Sequence, residues 1–274
     1  LTTEPTRVRN DGGEWVDVNT SVSRRGDEWT VADHPLAPVF HGRSDEAPAV
    51  TVSRDGHDVS FSLVGAAPGD VAAPFWWWDD GEQLTSRDVS AGADLEYRVE
   101  AGAVKEPLVL DAAPSSRMSW TWRIDAGTLT PALGEADSVT FTDEDGAVIL
   151  MIPTPVAFDS SGVDGESSDA EVALRVGLWR ASDGSWRYSL RADRAWLHGP
   201  ARVYPVRIDP TVMRPNGSTA YKSDGPVRAG LTYVGNTREG SGNRYWRSVV
   251  TYDYGSIPGR FIAGAQIGVG YDGY

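Results

Sequence analysis

Residues 50–63 read VTVSRDGHDVSFSL, and this stretch decides the fold class. Apolar and polar residues alternate on both sides of Asp55-Gly56, which is typical of two strands that each bury one face. An Asp-Gly pair supplies the positive φ angle that a two-residue hairpin turn requires. The stretch therefore predicts an antiparallel hairpin packed on a core.

The same pattern of alternating residues around a glycine turn recurs along the chain. It is found at residues 14–31 around Gly26, at 138–150 around Gly146 and at 172–190 around Gly184. Each hairpin needs a second layer to cover its apolar face. We therefore predict an all-β fold made of one or two antiparallel β-sandwich-like domains.

The distribution of charge divides the chain near residue 212. Residues 213–274 hold 7 basic and 4 acidic side chains, so residues 1–212 hold the remaining 18 basic and 35 acidic ones. We predict a β-rich hairpin or sandwich domain at 1–110, and at 111–212 a second β-rich domain or the second half of the first. Residues 213–274 predict an incomplete module, since only two strands, at 247–254 and 261–269, are foreseen there.

The composition excludes several classes of protein. The formal net charge of −14 repels polyanions and argues against nucleic acid as a partner. The longest apolar run, at 147–152, is far shorter than the roughly 20 residues of a membrane-spanning helix. The absence of cysteine excludes disulfides and thiolate chemistry. We interpret Leu1 in place of Met as a processed terminus.

Several stretches carry a resemblance to a known group of proteins. The sequence resembles the N-terminal region of secreted actinobacterial Rhs/YD-repeat proteins, which are polymorphic toxin-type proteins, and of wall-associated proteins. The stretches that carry the resemblance cover residues 1 to about 212; they are Gly13–Thr20, Arg87–Val99, Val104–Leu110, Thr142–Val148, Pro153–Ser161 and Tyr204–Thr211.

The tail carries a second resemblance. Residues Tyr245–Gly259 look like the opening of a DNRLRE-type domain, which is a jelly-roll-like module. The Asp-Asn-Arg-Leu-Arg-Glu string that names this type of domain is absent. The resemblance implies that residues 213–274 hold the opening strands of such a module.

The first resemblance also implies a role. It places the chain in a large extracellular polypeptide, in which such β-domains precede a YD-repeat shell and a variable C-terminal toxin. The expected function is a non-catalytic scaffold or cap, and we predict that the protein is not an enzyme. The expected partner is the remainder of the same polypeptide or a fragment cleaved from it, and the expected location is secreted, extracellular or cell-wall-associated.

The alternative function is a carbohydrate- or cell-wall-binding module that tethers a secreted protein. Strand alternation puts Trp76 and Trp78 on one face, where they could stack on sugar rings together with Trp246. The same aromatic residues are also explained as covers between two sandwich layers. Trp120 and Trp122 share a face as well, and their spacing favours a place in the core.

No sequence pattern predicts catalytic, cofactor-binding or metal-binding residues. The acidic loops at 143–146 and 164–169 offer oxygen ligands for calcium, although Asp-Gly turns explain the first without a metal. The four histidines are scattered and do not predict a zinc site; they are His34, His41, His57 and His198. A serine nucleophile on a strand–turn–helix and a glycine-rich phosphate loop are also absent from the sequence.

Overall fold

The computed structural model describes residues 5–45, 47–72, 81, 83–90, 92–116, 118–161, 171–215, 217–222, 227–229, 235–239 and 242–251. Over these ranges the chain consists of short strands and turns, with one helical turn, α1 (Arg194–Leu197), and one 3-10 turn at Glu135–Asp137. The predicted all-β fold class is confirmed. The strands are β1 (Arg7–Arg9), β2 (Trp15–Asp17), β3 (Ser23–Arg25), β4 (Glu28–Thr30), β5 (Val39–Phe40), β6 (Val50–Arg54), β7 (His57–Leu63), β8 (Gln83–Ser90), β9 (Ala93–Glu100), β10 (Ala103–Lys105), β11 (Leu108–Leu110), β12 (Ser119–Asp125), β13 (Thr130–Leu133), β14 (Val139–Thr142), β15 (Val148–Ile152), β16 (Val156–Phe158), β17 (Glu171–Ala173), β18 (Arg175–Arg180), β19 (Trp186–Arg191), β20 (Val206–Asp209), β21 (Val212–Met213), β22 (Gly217–Lys222), β23 (Val227–Ala229), β24 (Gly235–Glu239) and β25 (Gly242–Thr251).

The first large sheet has eight antiparallel strands in the order β18-β19-β12-β7-β6-β5-β4-β3. The hairpin foreseen at 50–63 is β6 and β7, paired from Val50 opposite Phe61 to Arg54 opposite His57. Asp55 and Gly56 have φ angles of 51° and 83°, which are the positive values that a two-residue turn demands. Local turn chemistry therefore sets the register of this hairpin.

The second large sheet has eleven strands in the order β13-β14-β15-β21-β10-β9-β11-β20-β16-β17, with β8 on the other edge of β9. Several of these strands are halves of longer ones. β10 and β11 both pair with β9 in one continuous register, from Ala103 opposite Glu100 to Leu110 opposite Ala93. Pro107 lies at the break, where its missing N–H removes a ladder hydrogen bond.

The two sheets face each other across one core. The rings of Phe40 in the first sheet and Tyr97 in the second lie 5.1 Å apart between centroids. Phe61 and Phe141 make a second contact between the sheets, edge to face at 6.3 Å. Trp120 and Trp122 are each 1% exposed, so their predicted place in the core is confirmed. The result is an antiparallel β-sandwich.

Strands from both sides of residue 110 contribute to both sheets. In the first sheet β7 pairs with β12, and in the second β11 pairs with β20. The two ranges that the sequence suggested, 1–110 and 111–212, therefore share their sheets and their hydrophobic core. The exact limits of the domains stay predictions.

The tail forms a four-stranded antiparallel sheet in the order β23-β22-β25-β24. The strand foreseen at 247–254 falls within β25 as far as Thr251, and the strand at 261–269 lies outside the described residues. The backbone N–H of Thr154 donates to the carbonyl of Ala229 at 3.0 Å, and Ala229 N–H donates to the Thr154 hydroxyl at 2.8 Å. These two bonds connect the tail sheet to the sandwich.

Candidate functional site

The tryptophans expected to bind a ligand are only partly covered by the structure. Trp76 and Trp78 lie outside the described residues. Trp246 is placed on β25 by its backbone, opposite Lys222 of β22 and Gly235 of β24. The surroundings of its side chain are outside the described part of the chain, and the predicted role of these three residues stays a prediction.

A cleft of about 580 Å³ lies at one end of the first sheet, between β12, β18, β19 and α1. Its volume is within the range of about 300–1,000 Å³ that is typical of ligand pockets. Arg175, Arg191 and Arg194 line it, and Arg175 lies directly opposite Arg191 in the antiparallel register of β18 and β19. The cleft therefore gathers three guanidinium groups at one sheet edge.

The carboxylates around this cleft leave the three arginines without ion pairs. Asp193 also lines the cleft, but its Oδ1 accepts the backbone N–H of Trp196 at 2.8 Å and caps α1. Among the described residues, no carboxylate oxygen lies within 4.0 Å of a side-chain nitrogen of Arg175, Arg191 or Arg194. Guanidinium groups in this arrangement favour the binding of carboxylates and phosphates.

This cleft was not foreseen from the sequence. The hairpin predicted around Gly184 implies which residues of its two strands face each other, and counting outward from a two-residue Asp183-Gly184 turn brings Arg175 opposite Ala192. The structure pairs Ala181 with Ser185 across a three-residue loop instead, which moves Arg175 opposite Arg191. Register counting would therefore have placed the two arginines close together but not opposite each other.

A buried acidic site lies between the sheets at Glu106. Glu106 is 4% exposed and stands in the break between β10 and β11. Burial raises the pKa of Glu106 to about 8, and the nearby Trp122 and Tyr97 lower it to a smaller extent. The Glu106 Oε1, the Tyr97 hydroxyl and the Trp122 Nε1 all lack a hydrogen bond of good geometry within the described structure. The carboxyl group is therefore held neutral near pH 7.

A second group of charges lies half-buried on the neighbouring strands. Lys105 Nζ is 2.6 Å from Glu100 Oε1. Burial would lower the pKa of Lys105, but the carboxylates of Glu100 and Asp209 outweigh it and raise that pKa. Burial also raises the pKa of Asp209, against the opposing effects of Lys105 and of the Thr211 hydroxyl. This is a charge network within the sheet, and its residues are not among those that line the arginine cleft.

Asp159 is the best-satisfied buried carboxylate. Its Oδ2 lies 2.7 Å from Arg202 Nη1, and its Oδ1 accepts the backbone N–H and the hydroxyl of Ser161. Burial would raise the pKa of Asp159, but the hydrogen bonds from Ser161 and Val203 and the Arg202 charge together lower it. Arg202 in turn lies over the ring of Trp196 at 4.2 Å. The site joins the segment after β16 to the segment before β20.

The acidic loop expected to offer calcium ligands is a turn in the structure. Asp143 Oδ1 accepts the backbone N–H groups of Asp145 and Ala147 at 3.0 and 2.8 Å. The loop at 164–169 lies outside the described residues. Of the histidines, His34 is buried, where burial lowers its pKa and its Nε2 lies 2.8 Å from the Glu100 carbonyl. Over the residues that the structure describes, no group of three or more His, Asp or Glu side chains is placed to hold a metal ion.

The fold and these sites define a β-sandwich segment with a small additional sheet. No family model matches the sequence, and no solved structure matches it. The chain is 30% identical over 170 residues to the tRNA3(Ser)-specific nuclease WapA of Bacillus spizizenii. It is also 30% identical to the tRNA(Glu)-specific nuclease WapA of Bacillus subtilis subsp. natto and 29% identical to the tRNA nuclease WapA of Bacillus subtilis strain 168, each over 170 residues. Each match covers 59% of this chain and 7% of the relative.

These matches correct one prediction. The sequence analysis expected a protein that is not an enzyme, and this is wrong because all three relatives are named as nucleases. The patterns considered there were a serine nucleophile, a phosphate loop and a zinc pair. Among the described residues, no helix is long and apolar enough to cross a membrane.

Proposed function

We propose that this chain is a β-sandwich segment of a large secreted toxin-type protein with tRNA nuclease activity, in which it serves as a scaffold or cap. The observation that carries the proposal is the similarity to three tRNA nucleases over 59% of this chain and only 7% of each relative. A segment that corresponds to so small a share of each relative is expected to be one part of a long polypeptide. The resemblance to Rhs/YD-repeat proteins supports the same architecture.

The packing of the sandwich supports a scaffolding role. One hydrophobic core runs from Val31 to Val212 and includes strands of both large sheets. A close-packed core of this kind resists deformation, which suits a surface on which other domains rest. The expected partner is the remainder of the same polypeptide or a fragment cleaved from it, and the proposed location is outside the cell.

The proposal is tested on the protein as the native host releases it. An antibody raised against these 274 residues recovers the protein from the culture medium for intact-mass measurement and peptide coverage. We expect a mass far above 29.6 kDa, or a tightly associated second fragment. The recovered protein is expected to cleave a mixed tRNA substrate. A strain that lacks the gene is the control for both measurements.

Two outcomes would contradict the proposal. A single species near 29.6 kDa with no associated fragment would show that the chain is not part of a larger protein. A large protein that leaves tRNA intact, both whole and after limited proteolysis, would contradict the proposed nuclease activity. The scaffold role has a separate readout: weakening the core with Phe141→Ala should make the rest of the protein more sensitive to protease. Unchanged protease sensitivity would show that the sandwich supports nothing else.

A further inference from the structure

The outer face of the first sheet carries polar and charged residues together with one exposed tryptophan. Trp120, Trp122 and Tyr188 point into the core, so the residues that alternate with them point outward. Three strands contribute rows to this face: Arg175, Gly177 and Trp179 from β18, Arg191, Ser189 and Arg187 from β19, and Ser119, Thr121 and Arg123 from β12. Trp179 is 45% exposed.

The Trp179 indole reaches back along β18 over Gly177. A Cβ atom added at Gly177 would be 3.3 Å from Cζ3 and 3.7 Å from Cε3 of Trp179, and 2.6 Å from the Ser189 hydroxyl oxygen. Glycine at this position thus leaves room for the edge of the indole and for the Ser189 side chain. The ring extends along β18 in the direction of Arg175.

The arginine cleft begins next to this ring. Arg175 is two residues beyond Gly177 on β18, a step of about 7 Å along a strand. Arg187, which lies opposite Trp179, is neutralised by Asp183, since Arg187 Nη2 is 2.9 Å from Asp183 Oδ2. The cleft carries positive charge that no carboxylate of the described residues pairs with, and the exposed indole lies beside it.

We propose that this face binds an anionic saccharide. One sugar ring stacks on the Trp179 indole, as apolar ring faces do on aromatic side chains. Its carboxylate or phosphate enters the cleft between Arg175 and Arg191, whose planar guanidinium groups match such anions. The hydroxyl of Ser189 lies on the row between them and can hydrogen-bond to a sugar hydroxyl.

Charge and size favour a saccharide over nucleic acid. A chain with a net charge of −14 repels a polymer that has a phosphate at every nucleotide. Single-stranded nucleic acid is usually held by a row of aromatic residues along a basic groove. On this face the described residues offer one exposed aromatic ring and one cluster of arginines. That arrangement fits a short saccharide with few anionic groups.

The test is a titration of the 274-residue chain with trigalacturonic acid, followed by calorimetry. Maltotriose is the neutral matched ligand, a sugar phosphate is the second anionic probe, and a short oligouridylate tests RNA. The Trp179→Ala variant is expected to bind the anionic sugars at least about tenfold more weakly, and so is the Arg175→Gln, Arg191→Gln double variant. Binding should also weaken as salt is added. Whichever of the two anionic sugars binds more tightly distinguishes a carboxylate from a phosphate ligand.

Matched controls are available elsewhere in the chain. Trp15 is 56% exposed under Arg9 on a separate two-stranded sheet, and Trp15→Ala should leave binding within about twofold. Arg25 is an exposed arginine on β3 at the opposite edge of the first sheet, and Arg25→Gln should do the same. Gly177→Ala keeps Trp179 but crowds both the Ser189 hydroxyl and the edge of the Trp179 ring, so it should weaken binding without loss of the folded circular dichroism spectrum.

Several outcomes would overturn this inference, which does not depend on the proposed function. They are no binding of either anionic sugar, equal binding of maltotriose, and equal losses in the Trp15→Ala and Arg25→Gln controls. Tighter binding of the oligouridylate that depends on Trp179 would assign the face to nucleic acid instead. Unaltered binding in Gly177→Ala would show that the placement of the indole and of the Ser189 hydroxyl around Gly177 plays no part.

Discussion

Replacing Glu106 with Gln removes a buried carboxyl group from between the two sheets while keeping its size. Glu106 is 4% exposed, and burial raises its pKa from the ordinary 4.5 to about 8, against smaller lowering effects of Trp122 and Tyr97. At a pH between these two pKa values, Glu106 keeps its proton in the folded protein and loses it in the unfolded chain. The free energy of unfolding therefore falls as the pH rises through this window, and the stabilisation is complete only below pH 4.5.

The size of the effect follows from the two pKa values. The difference between about 8 and 4.5 corresponds to about 5 kcal/mol of stability lost by the time Glu106 is ionised in the folded state. The loss has a slope of about 1.4 kcal/mol per pH unit. This is a large share of the roughly 5–15 kcal/mol that stabilises a typical domain. Gln has no proton to lose, so the Glu106→Gln variant escapes this loss.

The assay is urea unfolding of both proteins between about pH 5 and about pH 9, followed by tryptophan fluorescence. Other titrating groups are common to the two proteins and cancel in the difference. We expect the variant to gain stability over the natural sequence steadily as the pH rises to about 8, and the difference to level off above it. Glu144→Gln, an exposed change in the turn after β14, is the control and should give a constant difference. A constant or shrinking difference for Glu106→Gln would refute the reasoning.

Three further changes test the core, the buried ion pair and the hairpin. Phe141→Ala should cost about 3–5 kcal/mol in urea unfolding, because it removes the ring that meets Phe61 across the sandwich; a cost under about 1 kcal/mol would mean that the two sheets are not packed there. Asp159→Asn should cost about 3 kcal/mol near neutral pH, because Arg202 loses its buried carboxylate partner, and the cost should shrink as the pH falls below the ordinary pKa of 3.8. The exposed Asp17→Asn should cost less than about 1 kcal/mol, and equal costs would contradict the buried pair. Gly56→Ala should lower the thermal midpoint, at a cost of about 1 kcal/mol, since φ at Gly56 is 83°; an unchanged midpoint would argue against the two-residue turn.

The candidate site was partly within reach of the sequence. The sequence predicted that Trp76, Trp78 and Trp246 bind a ligand. The structure instead places Trp179 next to the arginine cleft. The reason is that periodicity assigns faces within a strand, whereas exposure depends on what covers that face. The nuclease names of the relatives were beyond any pattern in these residues.

The sequence by itself determined the all-β class, the hairpin at 50–63 and its Asp55-Gly56 turn, because these depend on side-chain alternation and on backbone angles of adjacent residues. Only the tertiary structure decided that β7 pairs with β12 and β11 with β20, that Glu106 is buried neutral, and that three arginines meet in one cleft. Such pairings join residues far apart in the chain, and their energy comes from burying one shared core. A short stretch of sequence does not indicate which distant strand packs against it in that core.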